Sequence, residues 1–472
     1  MFQTRDLCTI GSPFSKVNQK PMKQSWLSNT LPIAALFSFR MLGLFMLIPV
    51  FTVYAAHLNA ATPMLLGIAF GCYGLSQGLL QIPFGMLSDR YGRKPILTIG
   101  LLLFAVGSLY GALTDSIYGM IIARTLQGTG AIGSVLIALL ADLTPDEQRT
   151  KAMAVIGVTI GISFSLAMII SPLIVHYFNL AGIFYFTAAL AITGLLLLHL
   201  VIPTPTKEPF HLDSDVKTAQ FKQVFRNHHL QRLNIGIFFL HLMLTSTFFV
   251  IPILLQQQLK LGHLSQQWHF YLPLMVSAFL VMIPFIIFAE RKRHIKLVFV
   301  SAVAVMGLCQ LMLAFTYSSW FSICGFMFAY FVAFNVLEAS LPSLVSRQAS
   351  RNSKGTAMGI YSSSQFLGIF AGGALAGVIY QAVGAQGIFI MNAILALLWL
   401  LISAYMQPNN YQLTLIVPFD SAVSDEDKLL KQLRTLPGVE QATISPGEQV
   451  IYLRIHKIHY VEGSAEQMIA VK

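Results

Sequence analysis

The sequence predicts an all-α integral membrane protein with twelve spanning helices in two pseudosymmetric halves of six, followed by a small C-terminal α+β domain. Of its 472 residues, 56% are hydrophobic and only 10% are charged, which lies outside the range of soluble proteins. Twelve apolar runs are each long enough to cross roughly 30 Å of hydrocarbon as a helix. After Pro408, short alternating and amphipathic segments replace these long runs.

The apolar runs divide the chain into two similar groups. The predicted spans cover residues 30–56, 63–87, 95–113, 117–141, 151–176, 182–202, 233–258, 268–289, 296–315, 321–343, 356–380 and 387–406. The predicted regions are an N-terminal tail (1–29), an N-terminal half (30–202), a linker (203–232), a C-terminal half (233–406) and a C-terminal module (411–472). Pro83 before Asp89 is echoed by Pro284 before Glu290, which indicates duplicated halves.

Positive charge is distributed unevenly between the predicted loops. The net charge is +11, and Lys260 is the only basic residue in the predicted loops of one side. This is the positive-inside pattern of membrane proteins, and it argues against a nucleic-acid partner. We therefore expect a multi-pass protein of the bacterial inner (plasma) membrane with both termini in the cytoplasm. The four cysteines have no disulfide or metal spacing, and we predict no metal or cofactor.

A charged segment, Gly85-Met-Leu-Ser-Asp89-Arg90-Tyr-Gly92-Arg93-Lys-Pro-Ile-Leu97, joins the second and third spans. Asp89 and Arg93 lie one helical turn apart and can pair, while Gly92 permits a tight reversal. Gly85 lets a neighbouring helix come close. The segment resembles the signature loop between helices 2 and 3 of the major facilitator superfamily.

That resemblance implies the twelve-helix major facilitator fold and transport by alternating access. It also implies a conformational switch in which Asp142, at the end of the fourth span, joins the charged segment. The predicted switch residues are Gly85, Asp89, Arg90, Gly92, Arg93 and Asp142. Because a helix N-terminus carries partial positive charge, we expect Asp89 to contact the start of the eleventh span near Lys354 when the outer side is open.

The C-terminal module has the order strand, helix, strand, strand. The strands are predicted at 412–417, 439–444 and 450–455, with helices at 424–436 and near 462–469. This order resembles a ferredoxin-like module of the heavy-metal-associated type, but the Cys-x-x-Cys of that family is missing, so we predict no metal binding. A twelve-helix transporter with such a module resembles the YajR-type subgroup of the superfamily. We expect the module to lie at the cytoplasmic mouth and to tune activity.

Ionisable side chains inside the spans are few, and their burial in lipid is costly unless they face a cavity or a partner. They include Arg40, Arg124 and Glu338 in the first, fourth and tenth spans. Arg124 begins Arg124-Thr-Leu-Gln127-Gly128, which resembles the helix 4 motif associated with proton-coupled families. Glu338 is the only carboxylate well inside a span. We predict that Arg124 and Glu338 couple protons to transport, and a purely structural role is the alternative for each.

Helical spacing predicts a polar and aromatic lining for a central cavity. The expected lining residues are Arg40, Tyr73, Gln77, Gln81, His241, Phe249, Tyr330, Phe334, Tyr361, Gln365 and Phe366. These residues by themselves do not indicate that the substrate is a sugar or a permanently charged anion. Arg40 stands where drug-transporting relatives often have a carboxylate, so their substrate-binding acid is absent here.

We predict a proton-coupled antiporter for efflux of amphipathic or drug-like small molecules, working as a monomer in the lipid bilayer. A proton-coupled importer of a small metabolite is one alternative. A membrane receptor or sensor whose C-terminal module is the output is another. No nucleophile–base arrangement or nucleotide-binding loop is apparent, so the sequence predicts neither an enzyme nor an ATP-driven pump.

Overall fold

The computed structural model describes most of the helical body and the C-terminal module. The described residues are 26–144, 146–204, 222–291, 294–349, 353–405, 412–418, 426–445, 450–456, 460–461 and 463–470. Most of the predicted N-terminal tail and residues 205–221 of the linker lie outside these ranges.

Seven helices form the N-terminal half. They are α1 (Trp26–Phe45), α2 (Phe51–Tyr54), α3 (Pro63–Tyr91), α4 (Arg93–Leu113), α5 (Ile117–Thr129), α6 (Gly133–Asp142) and α7 (Asp146–Leu200). A helix with the 55 residues of α7 is more than twice as long as a membrane crossing requires. Asn179, with a φ of 55°, breaks α7 into the predicted fifth and sixth spans.

Two spans that were predicted as continuous helices are interrupted, which corrects the sequence prediction. The first span leaves helical geometry at residues 46–50, where Pro49 has no backbone N–H to donate. The fourth span breaks between α5 and α6, and glycines flank this break at Gly130 and Gly133. The N–H of Gly130 binds the carbonyl oxygen of Gln127, three residues back, so the regular helical pattern ends there.

Six helices form the C-terminal half. They are α8 (His228–Lys260), α9 (Trp268–Arg291), α10 (Ile295–Thr316), α11 (Trp320–Gln348), α12 (Lys354–Val383) and α13 (Ala385–Ala404). The described residues thus contain 11 helices that are long and apolar enough to span a membrane. Because α7 is broken at Asn179, these helices make the twelve predicted crossings. The start of α1 and the end of α13 then lie on one side of the bundle, which we call the module end, and the opposite side is the far end.

The two halves approach each other most closely where α3 crosses α12. A Cβ added to Gly67 would collide with the carbonyl oxygen of Gly373, and one added to Gly377 would lie 2.5 Å from the carbonyl oxygen of Pro63. Because these neighbours are backbone atoms, they cannot move aside for a side chain. Glycines therefore allow direct backbone packing between the halves at the far end.

This close packing stops partway along the two helices. A Cβ at Gly78 would still lie 3.2 Å from atoms of Leu367 and Ser363. Nearer the module end, Gly359 and Gly355 have no atom within 4 Å of the place where a side chain would begin. The close glycine packing between the halves therefore extends from the far end to about Gly78 and does not continue to Gly359 and Gly355.

The C-terminal module contains an antiparallel sheet and two helices. Its elements are β1 (Gln412–Pro418), α14 (Glu426–Thr435), β2 (Val439–Ser445), β3 (Val450–His456) and α15 (Ser464–Ala470), and the strand order is β1-β3-β2. This arrangement confirms the predicted ferredoxin-like order. Leu429, Leu433 and Leu453 lie in a hydrophobic core that belongs to the module alone. Residues 419–424, where metal-binding relatives carry cysteines, lie outside the described residues.

Deleting Tyr411 to Lys472 should leave the helical body folded, because the module buries its own separate core. The truncated protein should elute as one species and keep its melting temperature within about 5 °C of the full chain. A control truncation from Ala385 also removes Trp399, whose ring packs 5.9 Å from that of Phe299, and it should aggregate. Aggregation of the first truncation would contradict the prediction.

Gly67→Val should open the far end, because its side chain would collide with the backbone of α12. A clash of about 1–3 kcal/mol shifts a two-state equilibrium by roughly 5- to 150-fold. We expect faster maleimide labelling of Tyr380→Cys, introduced near the far end in a background without other cysteines. Gly325→Val is the control, since nothing lies within 4 Å of a Cβ at Gly325. Unchanged labelling in Gly67→Val would be the contrary result.

Candidate functional site

Tyr73 of α3 lies at the centre of a buried polar group in the N-terminal half. The guanidinium carbon of Arg124 lies 4.9 Å from the centroid of the Tyr73 ring. Nη2 of Arg40 donates to the Tyr73 hydroxyl at 3.2 Å. Both arginines are only 2% exposed, so cation–π attraction partly offsets the water that Arg124 has lost. Three predicted site residues, from α1, α3 and α5, thus meet in one place.

Arg124 is held by an amide group and a hydroxyl. Its Nη1 donates to Oε1 of Gln127 at 2.9 Å, and Nε2 of Gln127 donates to Oγ of Ser108 at 2.8 Å. In the described part of the chain, neither this arginine nor Arg40 forms a salt bridge with a carboxylate. Gln127 was not predicted as a site residue, although its three-residue spacing from Arg124 was a signal for the contact.

Gln77 and Gln81 extend this polar group along α3 toward the module end. Both are buried, and Nε2 of Gln77 donates to Oε1 of Gln81 at 2.6 Å. Their four-residue spacing places them on one face of the helix. The same face carries Tyr73, so α3 presents three of the predicted lining residues as a continuous polar strip.

A second polar group lies in the C-terminal half, between α8, α11 and α12. Nε2 of Gln365 lies 2.7 Å from Nε2 of His241 and 3.4 Å from Oε1 of Glu338. Nε2 of His241 is 3.8 Å from Oε2 of Glu338. The Glu338 side chain is 33% exposed, whereas that of His241 is 7% exposed. Glu338 therefore borders open space and has a buried imidazole beside it.

Aromatic rings connect the two polar groups. Phe366 of α12 lies 6.3 Å from Tyr73, ring centroid to ring centroid, across the boundary between the halves. Phe334 lies 6.1 Å from His241 and 6.5 Å from Phe164 of α7. Phe164 was not predicted as a site residue, because no polar neighbour or motif distinguishes it from the other apolar residues of its span.

The remaining predicted lining residues lie at different levels. The Tyr330 ring stacks 6.5 Å from that of Phe334 and is fully buried. Tyr361 is buried one turn before Gln365 on α12. Phe249 lies apart from both polar groups, with its ring 5.6 Å from that of Tyr380 toward the far end.

Arg93 is the centre of the charged segment that joins α3 and α4. Its Nη1 donates to Oδ1 of Asp89 at 2.5 Å and to Oγ of Ser88 at 2.7 Å, and its Nε donates to Oδ2 of Asp142 at 2.8 Å. The ends of α3 and α6 are thereby tied to the start of α4. Gly92 turns the chain between them with a φ of 97°, a conformation that favours glycine.

Two other switch residues lie at the edge of this cluster. A Cβ at Gly85 would lie 3.5 Å from Oγ of Ser134 in α6, so the two helices are in ordinary contact there. The Arg90 guanidinium lies 5.4 Å from the ring of its neighbour Tyr91 at the exposed end of α3. Across the described ranges, no group of three or more His, Cys, Asp or Glu residues has an arrangement that could hold a metal ion.

Comparison with known proteins points to one family. The sequence profile of the Major Facilitator Superfamily matches residues 33–356 and 233–437. The inner membrane transport protein YajR of Escherichia coli (strain K12) is 41% identical over 427 residues, which cover 90% of this chain and 93% of that protein. The multidrug resistance protein MdtL of Shewanella sp. (strain ANA-3) is 34% identical over 178 residues, covering 36% of this chain and 44% of MdtL.

A solved structure shows the same fold. The crystal structure of the nucleoside transporter NupG matches with a TM-score of 0.65 and 16% sequence identity, covering 81% of this chain and 100% of that one. Together with the YajR match, this confirms the predicted transporter fold of two six-helix halves.

Asp89→Asn should weaken the state in which the module end is closed, because it removes the charge that we expect to contact the start of α12 in that state, while keeping nearly the same shape. An exposed ion pair contributes about 0.5–1 kcal/mol, so labelling of Gly355→Cys at the module end should rise roughly two- to fivefold. Expression should stay largely intact. Asp115→Asn, an exposed acid in the loop between α4 and α5, is the control. Equal labelling in both variants would rule out the switch.

Proposed function

This chain belongs to the Major Facilitator Superfamily, and from that premise we propose that it is a proton-coupled secondary transporter that exports amphipathic small molecules. A transporter of the YajR type is a multi-pass membrane protein that moves small molecules. The proton coupling and the direction of transport are our proposal.

The position of Glu338 is the observation that carries this proposal. Its side chain borders open space at one face, and Gln365 lies within hydrogen-bond distance of one carboxylate oxygen. Gln365 belongs to α12, the helix that packs backbone to backbone against the other half. Gain or loss of a proton at Glu338 therefore changes a contact on the helix that joins the halves. Through this contact, protonation of Glu338 can favour one conformational state of the transporter over the other.

The shape of the bundle supports alternating access. Packing between α3 and α12 holds the far end together, whereas Gly359 and Gly355 of α12 make no such contact nearer the module end. With both termini in the cytoplasm, as the loop charges predict, this is the inward-facing state. Opening the far end requires the glycine contacts to separate while the module end closes, a rigid-body movement of one half against the other.

The surroundings of the polar groups and one relative support export of amphipathic compounds. Phe334, Phe366 and Phe164 provide large apolar surfaces beside polar side chains, which is the chemistry of a site for amphipathic ligands. The partial match to MdtL, a multidrug resistance protein, is in keeping with export.

Glu338→Gln should uncouple protons from transport. The amide has nearly the same shape as the carboxyl group, but it neither gains nor loses a proton near neutral pH. In liposomes loaded with a pH-sensitive dye, we expect compound-driven proton flux to fall by about tenfold or more. The compound panel should contain lipophilic cations, neutral amphipaths and organic anions.

The matched control is Glu466→Gln, an exposed acid on the module, and it should behave as the parent protein. Flux of protons with the compound instead of against it would identify an importer. Normal, pH-dependent transport in Glu338→Gln would refute the coupling role.

A further inference from the structure

Arg40 is deeply buried with two donor atoms left over. Its side chain is only 2% exposed, and Nη2 donates to Tyr73, but among the residues that the structure describes Nε and Nη1 have no hydrogen-bond partner. A buried guanidinium with unpartnered N–H groups is unfavourable, since its hydration has been lost and nothing has replaced it. Such groups are expected where a ligand completes the site.

The free Nη1 faces the break in the fourth span. A Cβ built on Gly133 would lie 3.3 Å from Nη1 of Arg40 and 3.4 Å from Nε2 of Gln81. This position is therefore bordered by two N–H donors from two other helices. Oε1 of Gln81 lies 3.6 Å from the same point. Because a ligand oxygen must lie farther from Cα than a bonded Cβ does, the Arg40 and Gln81 side chains have to move apart to admit it.

The backbone at this point also favours negative charge. Gly133 is the first residue of α6, a helix of 10 residues, and its N-cap residue Ile132 makes no side-chain hydrogen bond to the first turn. The start of a helix carries partial positive charge and N–H groups without intrahelical acceptors. The helix terminus and the buried guanidinium are independent features, and both would attract an anion.

Nothing in the described surroundings neutralises this charge. Arg40 contacts the Tyr73 hydroxyl and lies 6.0 Å from the Phe366 ring, and in the described residues it forms no salt bridge with an acidic side chain. Arg124, whose guanidinium lies over the Tyr73 ring, is a second buried cation. A bound anion would bring the charge of this region closer to zero.

We propose that Arg40, Gln81 and the start of α6 at Gly133 bind the carboxylate of the transported compound, so that the substrates are amphipathic organic anions. This inference rests on the proposed transport function. The carboxylate lies beside Gly133, and the apolar part of the compound packs against Tyr73 and Phe366. The site lies in the N-terminal half, away from Glu338.

Binding to the purified full-length protein tests the site without requiring transport. Naphthalene-1-acetate is the probe, and naphthalene-1-acetamide is the neutral control of nearly the same shape. We expect the carboxylate to raise the melting temperature and to bind about tenfold or more tightly than the amide. Arg40→Met should remove this preference and leave the weak binding of the amide unchanged. Equal binding of the two probes to the parent protein would overturn the proposal.

Stability without ligand separates a binding role from a structural one. If Arg40 serves a ligand, Arg40→Met removes an uncompensated buried charge, and the unliganded variant should melt at the same temperature or higher. If Arg40 holds the fold together, the variant should melt lower, and the proposal would be wrong.

Gly133→Ala tests the position of the carboxylate while keeping Arg40. The added methyl group occupies the place between Nη1 of Arg40 and Nε2 of Gln81, so naphthalene-1-acetate binding should weaken by about tenfold. Gly325→Ala, where nothing lies within 4 Å, should bind as the parent does. Parental affinity in Gly133→Ala would place the carboxylate elsewhere and overturn the proposal.

Sodium chloride tests whether the site binds a small inorganic anion or the carboxylate of an organic compound. If chloride alone gives the same Arg40-dependent rise in melting temperature and displaces naphthalene-1-acetate, the site holds an inorganic anion and the substrate assignment fails. If naphthalene-1-acetate binds in an Arg40-dependent manner but no compound moves in liposomes, the anion site stands and the transport proposal fails.

Discussion

The backbone contact between α3 and α12 is the interaction on which the rest of the molecule depends. It brings backbone against backbone across the two halves and is made by glycines, whereas side chains such as Phe164 and Phe334 also meet across the halves. A Cβ at Gly74 would collide with the carbonyl oxygen of Phe366, so this contact also sets the Phe366 ring beside Tyr73. Packed backbones do not deform gradually. They are either in contact or apart, which gives the two halves a small number of discrete arrangements.

The two halves that meet at this contact carry intramembrane charges of opposite sign. The N-terminal half contributes Arg40 and Arg124 around Tyr73, and the C-terminal half contributes Glu338 beside His241. In the described residues these cations and this acid form no salt bridge with each other. Each group is instead held by neutral partners such as Gln127 and Gln365, which fix its position and leave its charge uncompensated. A side chain held in this way keeps the ability to respond to a ligand or a proton.

The sequence predicted the structure correctly where the bilayer or water imposes a pattern of apolar and polar residues. A bilayer requires long apolar runs, and a half-buried sheet requires alternation, so the spans and the strand order of the module could be predicted. Hydrophobicity carries no information on a break inside an apolar run, so the interruptions at Pro49 and at Gly130 were missed. The partner of Arg124 was missed for a related reason: amide contacts such as that of Gln127 have no distinctive composition. The likeness of Gly85 to Leu97 to a known loop predicted the switch residues, but periodicity alone could not have added Asp142.

The break in the fourth span explains how a mostly apolar half can hold a polar site at all. In a continuous helix between Ile117 and Asp142, the backbone N–H groups would hydrogen-bond to carbonyl oxygens four residues earlier. The interruption leaves the N–H groups at the start of α6, in the middle of the bundle, without such acceptors. An anion bound there would neutralise positive charge beside Arg40, and a proton bound at Glu338 would neutralise negative charge in the other half. Closing the module end buries that region, so closure costs less when either the anion or the proton is bound than when neither is, as exchange of one for the other requires. This electrostatic requirement links two sites on opposite halves without any direct contact between Arg40 and Glu338.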